Sequence, residues 1–235
     1  MLLGKIFETR VGSDEFCCEP QHKPHVIKKI SFITGGVGSG KSSLAETIAE
    51  ELIRKKDRFQ ILWIDSSLCI GNSIKWRTQA GRMLLREEDA RKRGELCSAR
   101  PVVDSVMENL CMFQRHYPQV HDFLVPGAGR GIDEMEVWNK LVEKGVVSYR
   151  MIFVECTEQQ TREGIRRRIE QGILREDQGE QELERRLQEY DEKTLPMLKY
   201  MRENHKPLLK ETSRSKKAKD RVIDTIDHMD VPAEV

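Results

Sequence analysis

The sequence predicts an α/β protein built on a five-stranded parallel sheet with helices on both faces. Three observations carry this expectation. Five short apolar, β-rich runs recur along the chain, segments with apolar residues at helical spacing separate them, and a glycine-rich turn joins the first run to the first helix. Parallel neighbours need a crossover that passes over the sheet, usually a helix, so alternating strands and helices imply a sheet covered on both sides.

Residues 1–25 mix charge, glycine and proline without a period, and are read as an extension before a domain spanning 26–230. The run at 28–34 is β-rich and ends in glycines, as a buried parallel strand does. Leu44, Ile48, Leu52 and Ile53 then recur at helical spacing. Residues 59–64 read as a second strand, 121–125 as a third, 151–156 as a fourth and 207–210 as a weaker fifth. One long charged helix is expected over 180–203, and Lys216-Lys217-Ala218-Lys219 reads as the start of a solvated helix. Residues 231–235 form a tail, and no internal repeat is present.

Composition narrows the function. The chain carries 40 Lys and Arg against 39 Asp and Glu, a net charge of +1, which argues against nucleic-acid binding through bulk positive charge. A local cluster of arginines in a cleft stays compatible with that balance. The six cysteines, at positions 17, 18, 69, 97, 111 and 156, form no C-x-x-C pair, and no histidines stand at zinc spacing. The first thirty residues hold no long apolar run, so neither a secretory signal nor a membrane span is expected. A cytoplasmic protein with buried or idle thiols is the reading that follows.

Gly35-Gly36-Val37-Gly38-Ser39-Gly40-Lys41-Ser42 matches G-x-x-x-x-G-K-[ST] in full, between a predicted strand and a predicted helix. The chemistry needs these residue types. Glycines let the backbone wrap closely and aim its N–H groups at phosphate oxygens, and the helix N-terminus adds a positive dipole. Lys41 has the length to reach the β- and γ-phosphates of ATP, and the Ser42 hydroxyl suits a nucleotide-bound Mg²⁺. No N-K-x-D tract for reading guanine accompanies the loop.

The second half is rich in arginine: Arg162, Arg166, Arg167, Arg168, Arg175, Arg185 and Arg186. Charge pattern alone leaves two readings open. Phosphoryl transfer between nucleotides needs fixed positive charge around the migrating group, and the planar guanidinium supplies it. Equally, Glu163, Glu170 and Glu184 are partners for arginines on solvated helix faces.

Arg175-Glu176-Asp177-Gln178, then Arg186-Leu187-Gln188-Glu189-Tyr190, then Thr194-Leu195-Pro196 resembles the G-R-x-D-D, R-L-x-x-Y and T-x-P series of the adenylate kinase family. With the phosphate loop, the resemblance spans about residues 28–229. It implies a P-loop kinase fold with an acceptor insert over about 66–103 and a short lid over about 167–178. It also implies phosphoryl transfer from ATP, with Mg²⁺, to a nucleoside monophosphate; a monomer without nucleic-acid or membrane partners is the accompanying expectation. By position, Gly36, Gly38, Ser39, Gly40, Lys41, Ser42, Ser43 and Arg168 would hold ATP. Ser66, Gly127, Arg130, Glu134, Arg175 and Arg186 would hold the monophosphate. Lys41, Arg130, Arg168 (or its neighbour Arg167), Arg175 and Arg186 would act on the transferring group.

The chain also departs from that family. Where the family reads D-G-[FY]-P-R, this sequence reads Pro126-Gly127-Ala128-Gly129-Arg130, which keeps the glycine and arginine and loses the metal-organising acid. Gly71 stands at the monophosphate-binding arginine, with Lys75 and Arg77 a turn further on as substitutes. Gly94-Glu95-Leu96 keeps the family's G-x-L, but Cys97-Ser98-Ala99 replaces V-P-D. Glu134 replaces the base-reading Gln or Asn. AMP is the default acceptor, with UMP or CMP next, because residues 134–140 resemble the pyrimidine branch. Asp65, after the second strand, has two readings: a partner for an acceptor hydroxyl, or a helix N-cap. Two rival functions follow, a kinase of a small-molecule hydroxyl and a nucleotide-binding sensor or scaffold.

Overall fold

The computed structural model describes residues 28–56, 61–89, 97–170, 180–204, 206, 208–212 and 216–228. The expected extension, the tail, Gly94-Glu95-Leu96, Arg175 and most of the expected lid lie outside these. Five strands are present: β1 (Lys28–Gly35), β2 (Ile61–Trp63), β3 (Asp122–Pro126), β4 (Val147–Glu155) and β5 (Leu208–Thr212). All pair in parallel, in the order β2-β3-β1-β4-β5.

Strand periodicity divides the core in two. Phe32, Phe123, Val125, Met151 and Phe153 belong to one buried cluster, and Ile33, Leu124, Ile152 and Val154 to another. Successive strand residues point to opposite faces, so each face of the sheet carries its own core. The first is covered by α4 (Ala99–His116), α5 (Ile132–Glu143) and α8 (Leu195–Glu203), through Val103, Val106 and Leu110, Met135 and Trp138, and Met197 and Met201. The second is covered by α1 (Lys41–Lys56) through Ala45, Ile48 and Leu52, and by α9 (Lys216–His228) through Val222 and Ile223. The expected sheet, covered on both faces, is therefore present.

Two boundaries differ from expectation. β4 begins at Val147, four residues before the apolar run, because Val147 and Tyr149 also pair with Lys28 and Ile30 and are buried. Ser148 and Arg150 hide this in the sequence. Arg150 is buried because it lies opposite Ser31, whose hydroxyl accepts its Nε at 2.7 Å, while its Nη1 reaches the Ile226 carbonyl at 3.3 Å near the end of α9.

The second difference corrects the long charged helix over 180–203. It is two helices, α7 (Glu180–Glu189) and α8, joined by a π-helical turn at Tyr190–Thr194. Pro196 lies in the first turn of α8, has no N–H to donate and crowds the carbonyl four residues back. The Leu195 amide reaches the Tyr190 carbonyl five residues back, and the widened turn absorbs the misfit.

The expected acceptor insert contains α2 (Ser66–Lys75) and α3 (Gln79–Leu85), held on α4 by side chains of α4. The Glu108 carboxylate accepts Ser73 Oγ at 2.9 Å, Thr78 Oγ1 at 2.6 Å and the Ala80 amide at 3.3 Å. Beside it, the Asn109 amide donates to the Cys69 and Ser105 carbonyls and its oxygen accepts from Asn72. Between β4 and α7, α6 (Glu158–Glu170) runs past the phosphate loop. Among the described residues no helix is long and apolar enough to cross a membrane.

Candidate functional site

β1 ends at Gly35 and α1 starts at Lys41, so the glycine motif is the whole connection between them. Gly38 has φ +72°, and a Cβ there would stand 2.7 Å from the Thr161 carbonyl of α6, so this position needs glycine on both counts. The first turn of α1 carries no carboxylate of its own, so nothing in the helix competes for the positive end of its dipole. Lys41 folds back over the loop, its Nζ donating to the carbonyls of Gly36 at 2.6 Å and Gly35 at 2.9 Å. The ammonium is thus held at the loop by groups that phosphate oxygens can replace.

Around this loop lies a cleft with two further walls. On one side, Asp65 follows β2 and caps α2, its Oδ1 accepting the Ser67 amide at 2.9 Å. Its other oxygen, Oδ2, accepts the Ser42 hydroxyl at 3.0 Å. The N-cap reading of Asp65 is present, and the same carboxylate also lines the cleft. Next to it is the loop after β3. Gly127 has φ +84°, and a Cβ there would sit 2.8 Å from Ser66 Oγ. The Gly127 carbonyl accepts Arg130 Nε at 2.7 Å, which fixes the guanidinium at the cleft.

The third wall is the end of α7 and the π-helical turn: Arg186, Glu189, Tyr190 and Thr194. The Tyr190 ring stacks on Phe153, centroids 6.4 Å apart at 16°. Burial pushes its phenol up to about 12, with Cys156, Glu155 and Asp191 adding to the effect, so the hydroxyl stays protonated near neutral pH.

The cleft brings together Gly36, Gly38, Lys41, Ser42, Gly127, Arg130 and Arg186 of the expected site residues. Others are placed apart from it. Ser39 is buried beneath the loop with its Oγ 3.4 Å from Lys41 Nζ, Gly40 and Ser43 do not line the cleft, and Ser66 is buried against Gly127. Glu134 is turned inward rather than toward a base. Its carboxylate accepts the Gly129 amide at 2.7 Å, the Arg130 amide at 3.1 Å and Trp138 Nε1 at 3.4 Å. Burial raises its carboxyl above the ordinary range against the pull of those donors. Arg167 is exposed on α6, and the Arg168 side chain lies outside the described residues. Lys75 and Arg77 are exposed and neither lines the cleft.

Sequence reasoning gave no role to Ser67, Glu189, Tyr190 or Thr194, which line the cleft. Tyr190 and Thr194 lay inside the tract that carries the family resemblance. Their approach depends on the π-helical turn, which periodicity does not reveal.

Compared with models of known protein families and with curated proteins, the chain matches none of them.

Proposed function

We propose that the protein is a nucleoside monophosphate kinase of the P-loop type, passing the terminal phosphoryl group of ATP to a monophosphate. The observation that carries this reading is the convergence of Lys41, Arg130 and Arg186 on one cleft, from three separate parts of the chain. Arg130 and Arg186 add two cations to the loop lysine, beside the Asp65 and Glu189 carboxylates of the same cleft. The three cations suit a site where phosphates of two substrates meet and charge spreads over the migrating group. In-line transfer between phosphates needs no general base, so positioning and charge suffice.

The residues present fit a nucleotide-borne Mg²⁺. Ser42 Oγ and Asp65 Oδ2, 3.0 Å apart on the cleft, are hard oxygen donors of the kind this ion takes alongside phosphate oxygens and water. When bound, the ion would neutralise part of the phosphate charge. Lys41 would exchange the Gly35 and Gly36 carbonyls for phosphate oxygens, and Arg130, steadied by Gly127, would face the acceptor phosphate.

Asp65 also supports a second reading, a kinase whose acceptor is a hydroxyl that this carboxylate would orient and deprotonate. A coupled assay with ATP, Mg²⁺ and separate panels of monophosphates and small polyols decides between them. Monophosphate-dependent ADP formation, with AMP, UMP and CMP assayed first, is the expected result. Turnover with polyols alone, or none with any acceptor, would overturn the first reading.

A further inference from the structure

We propose that Asp65, two residues past the edge strand β2, organises the hydrated Mg²⁺ of the bound nucleotide in place of an acid at the end of β3. Through its second oxygen it ties that ion to helix α2. The inference rests on the nucleotide-binding reading of the cleft.

β3 is the immediate neighbour of β1 on this side, but it ends in Pro126, paired with Ile33, and has no carboxylate to offer the loop. One strand further out, Ile61, Leu62 and Trp63 pair with Asp122, Phe123 and Leu124, and the Ile64 amide still bonds to the Leu124 carbonyl at 3.0 Å. Carried two residues beyond Trp63, the same offset sets Asp65 level with Pro126. The acid absent from the end of β3 is present just past the end of the next strand, β2.

Asp65 Oδ2 accepts the hydroxyl of Ser42, the side chain that the loop motif assigns to the ion. A carboxylate hydrogen-bonded to that hydroxyl would accept from water carried by an ion bound there. The two oxygens of Asp65 have separate partners. Oδ1 accepts the Ser67 amide, in the first turn of α2, so the carboxylate is oriented before any ligand arrives. The same bond makes α2 sense the ion, because a shift of the carboxylate toward it moves the cap.

Asn caps helices as well as Asp, so Asp65→Asn removes the charge and spares the cap. ADP binding is measured by calorimetry with Mg²⁺ and with EDTA, without any acceptor. Wild type should bind ADP more tightly with Mg²⁺. Outer-sphere partners of metals are typically worth about ten- to a hundredfold in affinity, so Asp65→Asn should lose roughly tenfold or more of that gain and keep its affinity in EDTA. Hydrogen exchange gives the second readout: Mg²⁺-ADP should slow the amides of α2 in wild type and fail to do so in Asp65→Asn. An unchanged Mg²⁺ gain in Asp65→Asn overturns the metal role, and equal α2 protection in both proteins overturns the coupling. A wild type that binds no ADP under either condition sinks the nucleotide reading, and this inference with it.

Discussion

The Glu134 carboxylate holds the Gly129 amide at 2.7 Å, and through this bond a buried acid fixes the loop that presents Arg130 to the cleft. The loop has little other freedom. Gly129 has φ +69°, and a Cβ there would lie 2.8 Å from Met151 Cε. Glu134→Ala strips the Gly129 and Arg130 amides of their acceptor, and a buried unsatisfied group costs about 1–3 kcal/mol. A loss of about 3 kcal/mol in urea unfolding is expected, with Glu134→Gln between Ala and wild type.

The same residue predicts a pH dependence. Burial raises the folded-state carboxyl above its ordinary value of 4.5, so between the two values the folded protein binds more protons than the unfolded chain. Stability from this group is fully present below that ordinary value and is lost as pH rises through the folded one. Gln does not titrate. The stability of wild type relative to Glu134→Gln should therefore fall as pH rises from 5, measured by urea melts of both proteins. A difference that grows with pH contradicts this.

Lys41→Ala should leave the fold intact and lower phosphoryl transfer by orders of magnitude. The folded protein loses part-buried bonds such as those to Gly35 and Gly36, each worth about 1 kcal/mol, whereas the site loses a fixed charge. Circular dichroism and steady-state kinetics on the same preparation check both halves. Near-normal turnover in the folded variant would remove Lys41 from the mechanism.

Arg186→Ala should lower kcat more than it weakens ATP binding, as expected for a charge that acts mainly on the transition state. The same outcome is expected for Arg175→Ala, on the strength of the sequence resemblance alone. Direct ATP binding beside single-turnover rates separates the two effects, and wild-type turnover in both variants would return these arginines to solvated helix faces.

Which parts of this were legible in the sequence follows from what each signal measures. The strands and the loop motif were readable because buried parallel strands are apolar on both faces, and glycine spacing is a backbone requirement. The start of β4 was hidden because Arg150 is buried against Ser31, a pairing visible only once the register is known. The break at Tyr190 has a local cause in Pro196, but whether proline kinks, ends or widens a helix depends on packing such as Tyr190 on Phe153. Glu134 carried a local signal that was passed over. It stands three residues into α5 after the N-cap Gly131, the position from which a glutamate reaches back to preceding amides. Asp65 was visible as a candidate, and only three-dimensional placement on Ser42 joined its cap to the cleft.

Gly71→Arg is the most exposed prediction. Gly71 lies one helical turn beyond Ser67 on α2, and Ser67 lines the cleft, so the two share a face of the helix. A Cβ at Gly71 meets nothing within 4 Å, and the position is exposed, so a side chain can start there without a backbone clash. Replacing an exposed helical glycine should itself add up to about 1 kcal/mol of stability, so the variant should fold. A charge-assisted bond is worth about 1.5–3 kcal/mol, which predicts roughly a ten- to hundredfold lower KM for the monophosphate at unchanged ATP affinity. Wild type should correspondingly bind its acceptor weakly. A wild-type KM in the low micromolar range would mean another cation already grips the acceptor phosphate, with exposed Lys75 and Arg77 the first to substitute.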